Sequence, residues 1–101
     1  MRMILFFDLP SVSKRDHREY DKFIKILKKN GFIRMQESVF TKLAVNQSAV
    51  NSCMLHLKKS LPPEGIISIL TITETQFSSI EHLIGEVKTD MINTQDKVIK
   101  L

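Results

Sequence analysis

Apolar and polar positions alternate along the chain in a way that sorts it into short elements. Met3-Ile4-Leu5-Phe6-Phe7 is an unbroken apolar run ended by Asp8, the pattern of a strand buried on both faces. Leu9-Pro10-Ser11 breaks it, because proline has no amide to donate to a ladder. Ser13 and Asp16 then have the spacing of a helix N-terminal capping box. Tyr20, Phe23, Ile24 and Leu27 follow at helical spacing, with Lys14, Arg18, Lys22, Lys25 and Lys29 on the other side and Asn30-Gly31 as a stop. Phe32 to Gln36 and Ser38 to Leu43 read as two strands of a hairpin turning near Glu37, since no helix fits between them.

A second helix follows, capped by Asn46 or Ser48, with Ala49, Val50, Cys53, Met54 and Leu57 as its apolar stripe. The loop Leu61-Pro62-Pro63-Glu64-Gly65 leads to Ile66–Thr73, β-branched almost throughout and hence a strand. Phe77, Ile80, Leu83 and Ile84 suit either a short helix or an irregular strand. Val98 to Leu101 reads as a short terminal strand after a polar stretch. The order strand-helix-strand-strand-helix-strand, joined by right-handed crossovers, predicts an α+β, ferredoxin-like βαββαβ sandwich with an extra C-terminal strand. Residues 1–85 form the expected domain and 86–101 its tail. Both helices fall on one sheet face, so the other face needs a cover. In a chain of 101 residues the economical cover is the sheet of a second copy, a homodimer packed sheet to sheet.

Charge sharpens this picture. Residues 1–50 carry a net +5 and residues 51–101 a net −1, and all four arginines lie in the first half. Such asymmetry suits either a surface for a polyanion or a solvated lysine-bearing helix face. Lys14, Arg15, Arg18 and Lys22, with Arg34 and Lys42 from the same half, are the candidate phosphate contacts. The single cysteine, Cys53, excludes an internal disulfide and a CxxC zinc site and fits a reducing cytoplasm. The N-terminal apolar run is too short for a signal-peptide core or a membrane span. His17, His56 and His82 match no metal-binding spacing, and glycines at 31, 65 and 85 build no phosphate-cradling loop.

Asp8 is the candidate for chemistry. A carboxylate at the end of a buried strand is held by rigid backbone. Two copies meeting across a dimer axis would hold one Mg²⁺, which keeps most of its waters and takes one or two carboxylates. The alternative is a plain turn cap, with the Asp8 side chain bonded to nearby backbone.

The opening Met-Arg-Met-Ile-Leu-Phe-Phe-Asp-Leu-Pro, the stretch from Tyr20-x-x-Phe23 to Gly31-Phe32-Ile33, and Gln36-x-Ser38-Val39-Phe40 together resemble the CRISPR-associated protein 2 family. Thr71-Ile72-Thr73-Glu74-x-Gln76-Phe77 is similar to members from type II-A systems. The resemblance implies a ferredoxin-like dimer that serves CRISPR adaptation as a scaffold, binding prespacer duplex DNA and bridging two integrase dimers. It also implies, for some members, metal-dependent endonuclease activity on DNA or RNA with Asp8 as ligand. By the same likeness, residues 78–84 become a fifth strand, and Val98, Ile99 and Leu101 dock on the other protomer or the integrase. A third expectation, of another class, is a non-catalytic regulatory or toxin-like module on the same fold.

Overall fold

The computed structural model describes residues 1–85, and the expected tail with Val98, Ile99 and Leu101 lies outside them. The elements are β1 (Arg2–Asp8), α1 (Lys14–Lys29), β2 (Ile33–Gln36), β3 (Val39–Leu43), α2 (Gln47–Lys58), β4 (Ile66–Ile72) and α3 (Glu74–Ser78). They form an antiparallel sheet in the order β2-β3-β1-β4. This is the ferredoxin-like arrangement: β1 sits between β3 and β4, so neither crossover joins adjacent strands.

The local chemistry behaves as the pattern predicts. Ser13 Oγ accepts from the Asp16 amide at 3.0 Å, and the Asp16 carboxylate accepts from the Ser13 and Val12 amides at 3.1 Å each. Asn46 caps α2 by accepting from the Ala49 amide. Gly31 ends the α1 turn at φ +90°, backbone that L side chains rarely adopt. The core joins Met3, Leu5, Phe7 and Phe40 of the sheet to Phe23, Ile24 and Leu27 of α1 and to Val50, Cys53 and Leu57 of α2. Phe7 is its hub, edge-on to Tyr20 and Phe23 and stacked with Phe40.

Two expectations need correction. β1 is not buried on both faces: Met3, Leu5 and Phe7 face the helices, while Phe6 on the opposite face is 44% exposed. Register places Ile4, Phe6, Val39, Thr41, Leu43 and Leu70 together on this side, away from α1 and α2. Leu43 and Leu70 are about half exposed, so among the described residues this apolar sheet face is left largely uncovered. The fifth strand over 78–84 is also not formed. Thr73 and Gln76 make a reciprocal capping box that turns the chain into α3, and Leu83 and Ile84 beyond it are 91% and 94% exposed. A strand needs a neighbouring ladder, and the described chain offers this segment none.

At the α3 end of the open face a charged group breaks the apolar pattern. Arg2, paired in register with Leu43 and Ile72, is only 6% exposed. Its Nε and Nη2 donate to the two carboxylate oxygens of Glu74 at 2.9 and 2.8 Å, and Phe77 covers the guanidinium at 4.2 Å. This fork-on-fork clasp anchors α3 to the start of β1.

Candidate nucleic-acid interface and the Asp8 position

The α1 helix carries seven cations against three carboxylates. Its inner stripe is consumed by the core, which forces the charged residues outward. Lys14, Arg18, Lys22, Lys25 and Lys29 lie at i, i+4, i+8, i+11 and i+15, all exposed, and make one row along the helix. At 1.5 Å per residue the row is roughly 22 Å long. Among the described residues no ion pair holds any of these five cations. Arg15 is exposed on the neighbouring turn, beside Pro10, Glu19 and the Pro62-Pro63 loop. Lys25 and Lys29 belong to the row although the charge count alone did not single them out as contacts; their signal is the helical spacing.

Asp16, in the first turn of α1, spends its carboxylate on the backbone just before the helix. The Ser13 amide, and after it the Val12 amide, hold the carboxyl below its ordinary pKa, with help from the Ser13 hydroxyl and the His17 charge. His17 is tied to the same loop through its Nε2, 2.9 Å from the Ser11 carbonyl oxygen.

Arg34 and Lys42 do not join the row. Their register partners, Phe40 and Met3, put both on the helix side of the sheet. Arg34 Nη2 donates to the Tyr20 hydroxyl at 3.2 Å, its guanidinium lies 5.1 Å from the Phe40 ring, and its buried Nε has no hydrogen-bond partner among the described residues. Lys42 Nζ donates to the Asn30 carbonyl at 2.6 Å, stabilising the negative C-terminal end of α1. Both cations serve the packing of α1 on the β2–β3 hairpin.

Asp8 closes β1 on the open face, opposite Ile66 in the ladder, and is exposed. Among the described residues its carboxylate accepts no hydrogen bond, so the turn-cap arrangement is not formed and both oxygens are free to meet a ligand. Its backbone is pinned from the other side: Gly65, at φ +110°, runs so close that a Cβ there would lie 2.8 Å from the Asp8 carbonyl oxygen. Among the described residues no three His, Cys, Asp or Glu side chains gather as a metal-binding group. A single protomer therefore offers a cation no such three-ligand set at this point.

The model of the family described as CRISPR associated protein Cas2 matches residues 1–80. The chain belongs to the Cas2 family. A protein of Treponema denticola named CRISPR-associated endoribonuclease Cas2 is 42% identical over 101 residues, the full length of both chains. One of the same name from Streptococcus mutans is 41% identical, covering all of this chain and 93% of its own. In fold, the chain is similar to the crystal structure of Streptococcus pyogenes Cas2 at pH 6.5, with a TM-score of 0.64 and 17% identity over 82% of this chain and 99% of that one. Family membership places the protein among CRISPR-associated proteins. No helix among the described residues is long and apolar enough to cross a membrane.

Proposed function

We propose that the protein is a cytoplasmic, dimeric scaffold of CRISPR adaptation that holds prespacer duplex DNA and bridges integrase dimers. What supports this reading is the segregation of two surfaces on opposite sides of one small sheet. The uncovered apolar face, centred on Phe6 and Leu70, is suited to a second copy, and the α1 row then points outward from each protomer. Pairing through the sheets doubles the row and doubles the net +4 of each chain. Exposed Lys and Arg side chains contact phosphates without reading sequence, which suits capture of duplexes of arbitrary sequence. Lys14, Arg15, Arg18 and Lys22 are the contacts proposed, extended by Lys25 and Lys29; Val98, Ile99 and Leu101 are proposed to dock the integrase or the partner protomer.

The test is duplex binding by the full-length chain across a salt series, beside Arg15→Glu/Arg18→Glu and Phe6→Asp. Each lost phosphate contact lowers the slope of log affinity against log salt by about 0.9. The double reversal removes two contacts on each protomer, four per dimer, and is expected to flatten the slope by about 3.6 and weaken all sequences alike. Phe6→Asp is expected to yield monomers with weaker binding. Salt-insensitive binding, or wild-type affinity in the double reversal, refutes the reading.

The free carboxylate of Asp8 favours a second reading, a Mg²⁺-dependent endonuclease acting on RNA or DNA, in keeping with the names of the relatives. The donor set fits a largely hydrated Mg²⁺ once two protomers bring their Asp8 side chains together. When bound, the ion would lower the pKa of a coordinated water and offset charge on a phosphodiester. The chain's own part is to hold Asp8 rigidly at the strand end and to orient the backbone of the nucleic acid with α1. Cleavage by wild type and none by Asp8→Ala, prepared side by side, is the expected result; equal cleavage by both removes Asp8 from the chemistry.

A further inference from the structure

A second surface lies on the helix side of the sheet, away from both the α1 row and Asp8. Between α2 and β4 the packing leaves a hollow of about 230 Å³. Phe23 and Leu57, both buried, form its floor, and Ile67 and Ile69 of β4 form one wall. Its mouth is set by Leu61, half exposed, and by Lys58, the one polar residue of the lining. The cause is geometric: β4 is an edge strand, and α2 leaves its helix-facing residues, Ile67 and Ile69, only partly covered. Water against a lining of Leu, Ile and Phe finds few hydrogen-bond partners, so an apolar group replaces it favourably.

The surroundings narrow the occupant. Leu55, 62% exposed, lies one helical turn from Lys58 and extends the apolar surface outside the mouth. From Val45 to Pro63 the chain carries no Asp or Glu, while His56, Lys58 and Lys59 cluster at the end of α2. A phosphodiester backbone has nothing to place in an apolar hollow, so the lysines here are not an extension of the duplex track. An apolar anchor flanked by carboxylates satisfies both features at once.

We propose that the hollow between α2 and β4 is a socket for a protein partner, which seats one large apolar side chain against Leu57, Ile67 and Ile69 and sets neighbouring Asp or Glu residues on Lys58 and Lys59. A buried apolar anchor inside a polar rim is the usual anatomy of an interface hot spot. The socket is independent of duplex binding, so either can fail without the other.

The test selects short random peptides on the immobilised full-length chain and measures the affinity of a recovered peptide by fluorescence anisotropy. The expected peptides carry one Leu, Ile, Met or Phe next to Asp or Glu. Leu61→Glu, which puts a like charge at the mouth, is expected to weaken them by about tenfold or more. Lys58→Glu, an exposed change at the mouth that leaves the apolar lining intact, is expected to weaken them severalfold and to reduce the salt dependence. Circular dichroism and duplex binding of both variants check that the fold is kept. Failure to enrich any peptide, a consensus lacking either the apolar or the acidic element, or equal affinity for wild type and Lys58→Glu overturns the proposal. So does a wild-type dimer that dissociates on Leu61→Glu, because the hollow then belongs to a second copy.

Discussion

Replacing Gly65 by alanine tests how the backbone behind Asp8 is held. Gly65 has φ +110°, and an added Cβ would lie 2.6 Å from Leu9 Cδ2 and 2.8 Å from the Asp8 carbonyl oxygen. Positive φ costs an L residue about 1–2 kcal/mol. Part of this is offset by about 0.4–1 kcal/mol, because alanine restricts the unfolded chain. The Leu9 side-chain tip can rotate away, but the overlap with the Asp8 carbonyl oxygen is with backbone, which cannot, and overpacking of this kind costs about 1–3 kcal/mol. The total loss is about 2–4 kcal/mol, large against the stability of a small domain. Gly31→Ala is the internal control. It has the same kind of strain at φ +90°, but its Cβ would meet only the flexible Lys42 chain, at 3.4 Å. Its expected loss is about 1 kcal/mol. Urea unfolding of the two variants, with unchanged m-values, should therefore show a gap of about 1–3 kcal/mol. Equal losses would show that the loop moves freely and that Asp8 is not rigidly placed, which would undercut any chemistry assigned to it.

Two further outcomes follow from particular contacts. Glu74→Ala strands the buried Arg2 charge and is expected to cost about 3 kcal/mol, whereas Arg2→Met leaves a half-exposed Glu74 that water can solvate and costs less; denaturation of both checks the order, and the reverse order refutes the clasp. Asp16 has a folded pKa below its unfolded one, so its cap stabilises α1 fully above the unfolded value and is lost as pH falls through the folded value. Carboxyl-carbon NMR should show Asp16 titrating below an ordinary aspartate, with protection of the first α1 amides falling in step and Asp16→Asn abolishing that dependence.

Periodicity, caps and turn residues carried most of the fold because they act within a few residues of one another. The Ser13–Asp16 box, the Asn30-Gly31 stop, the hairpin at Glu37 and the Asn46 cap are local hydrogen-bonding and φ requirements, legible without tertiary contacts. The same local logic explains why the likeness to a family was a poorer guide than Thr73 and Gln76 were to the chain after β4: their capping box forms α3 within the chain, while a strand at 78–84 must borrow a ladder. The α1 row was legible for the same reason, since helical spacing alone puts its lysines on one side.

What the linear pattern left undecided depends on which sheet face a residue reaches. Arg34 and Lys42 have the charge of phosphate contacts, but the β2–β3 register turns them onto the helix side, where Tyr20 and Asn30 take them up. Arg2 is an unremarkable basic residue in the sequence and becomes a buried anchor only because β4 brings Glu74 beside it from 72 positions away. Among the described residues the Asp8 carboxylate accepts no hydrogen bond and the hollow beside β4 is open, because of where nonadjacent elements end. Side-chain chemistry and local geometry were set residue by residue; company across the sheet was decided only when the chain closed on itself.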